Sequence, residues 1–227
     1  MVKVNIVEKF EDARKIINSL EYDPHWYRRV FHTFSASFIF YYMLPDIYWI
    51  NLVKIWIPVV LLIFIFILEY LRINGKVNSN HFFGLRMYEE KRVSSYLFFG
   101  IAVFILLLFF PQQIAVPCIL CASIADPIMG EIRHRYGEKK VYVVGFLVCA
   151  LFFFVTWYKA DFRILIIVSL IGAAGAVIGE TKKLKLLDDD FMIQMVPAIL
   201  LLIIWVFAWY MGLVLPDPII HPGILPW

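Results

Sequence analysis

The residues Asp126-Pro-Ile-Met-Gly130-Glu-Ile-Arg133-His-Arg135-Tyr-Gly137-Glu-Lys139-Lys140 lie between two hydrophobic stretches and alternate acid, glycine and base. Each type has a use beside a phosphorylated ligand. An aspartate such as Asp126 can hold a divalent cation, and glycines such as Gly137 let main-chain amides approach phosphate oxygens. Arg133, Arg135, Lys139 and Lys140 would neutralise those oxygens. Basic residues beside a bilayer also have a plainer use, which is to orient the chain in the membrane. Local composition by itself does not separate the two.

A second unusual polar segment runs Glu180-Thr-Lys-Lys-Leu-Lys-Leu-Leu-Asp188-Asp189-Asp190. Three consecutive aspartates at a membrane surface repel one another and the anionic headgroups. A bound divalent cation or nearby Lys and Arg compensates that repulsion. A solvated turn capping the last helix, with Asp190 near the positive end of its dipole, is the alternative. The triple run favours the cation. Upstream, Arg28, Arg29 and His32 stand at the mouth of the first apolar stretch, as phosphate contacts or as snorkelling anchors. Glu89 and Arg92 are three apart and share a face if the segment is helical, a pairing that is ordinarily structural. Cys118-x-x-Cys121 has a metal-like spacing but no second Cys/His pair, and with Cys149 reads as small buried apolar groups.

The elements that must carry these residues are membrane helices. The chain has 227 residues, 62% of them hydrophobic, with a mean hydropathy of +0.79, which excludes an ordinary soluble globular domain. Seven segments cover all or much of a hydrocarbon core that needs about 20 apolar residues per helix. They run roughly 30–44, 52–71, 94–110, 113–124, 141–158, 162–179 and 191–215. The first and fourth are short, as though tilted, extended into polar flanks, or half-helices. Residues 3–19 place apolar side chains near a helical period among charged ones, with neither an apolar run nor a cleavage signal. They read as an interfacial amphipathic helix ended by Pro24. The expected fold class is therefore all-α, a polytopic membrane helical bundle with about seven transmembrane helices. Its organisation is a cytoplasmic N-terminal segment at 1–26 and a single transmembrane domain at 27–227.

Charge distribution sets the expected orientation. Of 21 Lys and Arg, six precede residue 30, five lie in 72–92, four in 133–140 and three in 182–185. Only Lys54, Lys159 and Arg163 fall on the other connections. The positive-inside rule then puts the N-terminus and the three basic connections in the cytoplasm and the C-terminus outside, a parity that seven spans satisfy. The polar clusters thereby gather in one aqueous layer. Carboxylates for a metal, bases for phosphate and an apolar bundle alongside are what phosphoryl or nucleotidyl transfer to a lipid needs. Membrane lipids, a lipid substrate and a nucleotide are the expected partners, and nucleic acid is not.

Four stretches of the chain resemble, in order, those of the polyprenol kinase family: dolichol kinase, phytol kinase and the CTP-dependent diacylglycerol kinase, distantly akin to phosphatidate cytidylyltransferases. Arg28-Arg-Val-Phe-His32 is similar to the family's basic opening that ends in His. Arg86-Met-Tyr-Glu89-Glu-Lys-Arg92 resembles its acidic-basic lead into the third span. Asp126 to Lys140 resembles its Gly-Asp, then Gly-Arg-Arg-Phe-Gly-Lys loop, with Arg135-Tyr136-Gly137 and Lys140 in register. Glu180 with Leu187-Asp188-Asp189-Asp190-Phe191 resembles its terminal Glu and Asp-Asp-Asn-Leu element. The likeness covers about residues 27–212. It departs at Ala125 and Arg133, where the family has glycine, and at Val141 and Val144, where Ser and Glu are expected.

The resemblance implies a CTP-dependent lipid kinase, a transferase acting on the hydroxyl of an isoprenoid, dolichol-like or other lipid alcohol. Mg²⁺ is the implied metal, on Asp126, Asp188 and Asp189 with Glu180. Phosphate contacts fall to Arg133, Arg135, Lys139 and Lys140 around Gly137, joined by Arg29, His32 and Arg92. Glu89 or an aspartate of the run would orient or deprotonate the alcohol. Asp190 aligns with the family's neutral Asn and is expected to be the most dispensable of the three. The alternatives are a cytidylyltransferase making a CDP-activated lipid and, outside catalysis, an inactive paralogue, transporter or scaffold. No internal repeat of the transporter kind is present, and Glu69 is the one acid embedded close to a helix body. A Lys139→Cys protein in a cysteine-free background is expected to react with impermeant maleimide only from the cytoplasmic side. Labelling from outside alone would invert the topology and dissolve the shared layer.

Overall fold

The computed structural model describes residues 24–77, 89, 92–181 and 187–220. The amphipathic segment expected at 3–19, most of the connection at 78–91 and the basic residues 182–185 lie outside them. Among the described residues the regular structure is helical throughout. Helix α1 spans Pro24–Ser35 and continues as a 3-10 segment, Ala36–Met43. Then come α2 (Tyr48–Ile73), α3 (Ser95–Phe109) and α4 (Gln112–Leu120). A π-helical turn, Cys121–Ala125, joins α4 to α5 (Asp126–Tyr136). The last three are α6 (Glu138–Thr156), α7 (Phe162–Thr181) and α8 (Asp189–Tyr210).

Among the described residues five helical stretches are long and apolar enough to cross a membrane: Tyr48–Ile73, Gln112–Tyr136, Glu138–Thr156, Phe162–Thr181 and Asp189–Tyr210. This is the composition of a membrane protein. Helix α3 has 15 residues and falls short of a full span, and the first expected span is divided between α1 and the 3-10 segment. The loop expected from Asp126 to Lys140 is a correction in the other direction. It is helical, because the apolar face of α4 continues through the π turn into α5, and Pro127 falls in the first turn of α5, where proline is tolerated. At Gly137 the chain takes φ +81°, a value that glycine adopts without Cβ strain, and α6 starts at the next residue.

Prolines decide where these helices bend. Pro117 has no N–H for the carbonyl four residues back, at Gln113. The freed carbonyl instead accepts the Trp157 Nε1–H at 2.8 Å, which ties the start of α4 to the end of α6. Pro127 likewise cannot donate to Ser123, inside the π turn, so the wider turn forms where the α-helical ladder is already broken. In lipid no hydrophobic force drives helices together, so close van der Waals packing must. Helices α7 and α8 achieve it through glycines. A Cβ at Gly175 would stand 3.1 Å from the Pro197 Cα, and one at Gly179 would run into the Met192 carbonyl. The core between the helices is filled by Leu106, Ile119, Phe153, Trp157, Val168 and Leu201, all buried.

The two ends of the bundle differ. At one end the tail after α8 folds across the start of α4: Gln113 Nε2 donates to the Pro216 carbonyl at 2.8 Å, and the Ile220 N–H donates to Gln112 Oε1 at 3.1 Å. At the other end meet the last turns of α2 and α7, the first turns of α3 and α8, and α5. We refer to this as the polar end. Gly179→Ala is expected to destabilise the protein by about 1–3 kcal/mol, because α7 and α8 must part to admit one methyl group. Gly130→Ala, where the added carbon meets nothing within 4 Å, is expected to be neutral or stabilising by about 0.5–1 kcal/mol. Thermal unfolding in detergent micelles measures both.

Candidate functional site

Helix α1 carries Arg28 and His32 four residues apart, hence on one face, and turns that face into the polar end. Arg28 Nη2 lies 2.5 Å from Asp190 Oδ2, and Nη1 lies 3.9 Å from Glu89 Oε1. His32 Nε2 is 3.8 Å from the same Asp190 oxygen. Asp126 completes the group: His32, Asp126 and Asp190 each offer one ligand atom, all within 4.8 Å of one another. Asp188, Asp189 and Asp190 form a second such group, with Asp190 common to both. His32, Glu89 and Asp190 are buried, while Asp126, Asp188 and Asp189 are half-buried.

Local structure fixes each member. The π turn sets the facing of Asp126 at the residue where α-helical geometry resumes. Ser35 Oγ and Ser123 Oγ share a hydrogen bond at 2.8 Å, pinning α1 to that turn. The His32 ring meets Phe99 edge-on, with centroids 5.4 Å apart. Asp188 has extended backbone (φ −79°, ψ 155°), and its carbonyl accepts the first N–H groups of α8, placing Asp189 and Asp190 in the first turn, where the helix dipole favours carboxylates.

Glu89 is held by a clamp of its own. Arg72, in the last turn of α2, pairs with Glu69 through Nε at 2.9 Å and Nη2 at 2.7 Å. It also donates to the main-chain carbonyls of Glu89 at 3.0 Å and Arg92 at 2.5 Å. Glu69 Oε1 in turn accepts the Ser94 N–H at 2.5 Å. Both side chains are buried, and between them they fasten the segment before α3 to the end of α2. Glu69, the one acid read as embedded close to a helix body, is the anchor of this clamp.

The structure brings only part of the expected site together. Asp126, Glu89, His32 and the aspartate run meet. Among the described residues Glu180 joins no cation group: Arg133 Nη2 takes its Oε1 at 2.7 Å, while Arg133 Nε reaches Glu138 at 3.3 Å. Arg29 and Arg135 both pair with Glu131, on α5. Lys139 and Lys140 are exposed in the first turn of α6, with the Lys140 ammonium 4.8 Å from the centre of the Tyr136 ring. Arg92 is exposed. Gly137 is the joint between two helices rather than part of a phosphate-cradling loop. The physical reason is shared: once Asp126–Tyr136 is helical, its basic residues project on several sides instead of converging.

Two residues left out of the metal and phosphate sets that the resemblance implies sit at the centre, Arg28 and Asp190. The four-residue spacing from Arg28 to His32 was the available signal for the first. The aspartate expected to be the most dispensable of the run, Asp190, is the buried one and is common to both cation groups. Taken by donor type, two carboxylates and an imidazole suit a divalent cation, and carboxylate oxygens alone suit Mg²⁺. Arg28 supplies a fixed positive charge to the same Asp190 oxygen, so the cluster combines anion-stabilising and cation-holding groups. Compared with known proteins, the chain matches no family model, no curated protein and no solved structure.

Arg72→Ala is expected to destabilise the protein by about 3–5 kcal/mol, since it strands the buried Glu69 charge. Removing both charges with Glu69→Gln and Arg72→Met should restore most of that. Unfolding midpoints of the single and double variants decide it.

Proposed function

We propose that the protein is a membrane phosphotransferase that moves a phosphoryl group from a nucleoside triphosphate, CTP by the resemblance above, to the hydroxyl of a long-chain lipid alcohol. The observation that carries the reading is the convergence of His32, Asp126 and Asp190 on one point, braced by Arg28, at the end of an apolar bundle. A charged cluster inside a membrane bundle is costly to maintain, and such clusters ordinarily mark function. In this reading the chain crosses the membrane seven times, with α1 plus the 3-10 segment and α3 as the two shorter passes, and the polar end faces the cytoplasm.

Phosphoryl transfer asks the protein mainly for positioning and charge neutralisation. A divalent cation on Asp126 and Asp190, with His32 or Asp188 and Asp189 beside them, would neutralise donor phosphate oxygens. Arg28 would hold Asp190 in place and offer its outer N–H groups to the same oxygens. The bond from the terminal phosphorus to its bridging oxygen breaks, the nucleoside diphosphate leaves with that electron pair, and a P–O bond forms to the lipid oxygen. The hydroxyl proton passes to Glu89, which stands beside Arg28 and outside the cation groups. A second reading, an inactive relative, is favoured by one observation: Arg133 occupies Glu180, which the resemblance assigns to the metal.

Purified protein given CTP and a panel of polyprenol, phytol and diacylglycerol acceptors is expected to label lipid from γ-labelled and not from α-labelled nucleotide. The reverse pattern means cytidylyl transfer, and no label with any acceptor sinks the enzyme reading. Asp126→Asn should lower turnover about a hundredfold or more, the loss of several kcal/mol at the transition state, and so should Asp190→Asn, against the tolerance expected from the family's Asn, because Asp190 is buried and common to both cation groups. Asp188→Asn and Asp189→Asn should be partly rescued at higher Mg²⁺ by mass action. Lys139→Ala and Lys140→Ala, both exposed and screened, should stay within about threefold of the parent.

A further inference from the structure

One turn along α8 from Asp190, on the same side of the helix, lies Gln194. It is 0% exposed. Its Nε2 donates to the Asp190 carbonyl at 2.8 Å, which fixes which end of the amide is which, since a carbonyl only accepts. Both heteroatoms hang from one carbon, so Oε1 stands beside that bond, at the foot of the turn that carries the Asp190 carboxylate. Among the described residues Oε1 meets no hydrogen-bond donor. Ser95, in the first turn of α3, is also buried with an unmet Oγ, and α3 packs against α8.

An amide oxygen in this position is a liability unless something uses it. The neighbouring carboxylate cannot, because it has no proton to give when ionised. Arg28 is committed to the carboxylate on the far side of the turn. Packing alone would be served better by an apolar side chain, as the flanking Ile193 and Met195 show. A buried acceptor left unmet costs stability, and such groups in native proteins call for an explanation.

We propose that Gln194 is the rest for the acceptor's hydroxyl: Oε1 accepts a hydrogen bond from the primary alcohol at the head of a long apolar chain held among the helices. This deepens the proposed function and rests on it for the identity of the ligand. A hydroxyl bound to Oε1 would stand about one helical turn from the Asp190 carboxylate. A site built to bond a hydroxyl also rejects the matching hydrocarbon, because the buried polar group then stays unmet.

The test compares binding with stability, independently of turnover. Full-length protein in detergent is titrated with geranylgeraniol and with the hydrocarbon of the same isoprenoid chain lacking the hydroxyl, following the unfolding midpoint. The parent is expected to bind the alcohol about three- to tenfold more tightly than the hydrocarbon. Gln194→Met, unbranched and close in volume, should lose that preference while the ligand-free protein still folds, since the unmet Oε1 and the Nε2–Asp190 hydrogen bond are removed together. Gln194→Leu should behave the same way. Persistence of the alcohol preference in both variants overturns the proposal. If the parent shows the preference but labels no lipid from CTP, the hydroxyl site stands and the kinase reading falls. If lipid is labelled equally well by parent and variant, the kinase reading stands and Gln194 has no part in it.

Discussion

A carboxylate cannot be buried beside other carboxylates without a positive charge next to it, and the Asp190–Arg28 contact is where this protein meets that requirement. Asp190 lies in the first turn of α8 and Arg28 belongs to α1, so this ion pair joins the first described helix to the last. Its consequences spread outward. Helix α1 must lie with its Arg28–His32 face inward, the Ser35–Ser123 hydrogen bond becomes possible, and the π turn is pressed against α1. His32 and Glu89 are then buried around the same guanidinium, and Asp126 closes the group.

The apolar part of the bundle obeys a different constraint. With little to gain from hiding hydrocarbon from hydrocarbon, helices in lipid associate by fitting closely and by satisfying every polar group internally. Gly175 and Gly179 let α7 reach the backbone of α8, which matters for the site because Asp190 rides on α8 and Glu180 on α7. Pro117 and Pro127 break the hydrogen-bond ladder of the long central helix at both ends of one segment. The first break is repaired by Trp157 at the far end, and the second leaves the π turn at the polar end. The same residue type thus anchors structure at one end and shapes the site at the other.

The geometry brings together some of the polar residues singled out in the sequence and leaves others apart. Arg28 and His32, Glu89, Asp126 and Asp190 come from the four resembling stretches and converge. The basic residues after Asp126 do not. Arg133, standing where the family has glycine, uses its fork on Glu180 and Glu138, and Arg135 uses its own on Glu131. The guanidinium that faces the carboxylates is Arg28, contributed by a different helix.

Hydropathy and charge asymmetry, which are local properties summed along the chain, were enough to read an all-helical membrane bundle and to place its polar residues at one end. Both follow from the bilayer, which demands apolar helices of a certain length whatever their neighbours. The helical state of 126–136 was hidden, because glycine, proline and alternating charge are also the composition of a loop, and only the continuity from α4 decided between them. Which aspartate of three is buried could not be read from Asp188-Asp189-Asp190. The answer depends on the rotation of α8 about its axis, and that rotation is set by α7 through Gly179 and by Arg28 across the bundle. The same holds for Glu69 and Arg72, three apart on one helix, whose pairing became a clamp only because the segment before α3 returned to lie against it.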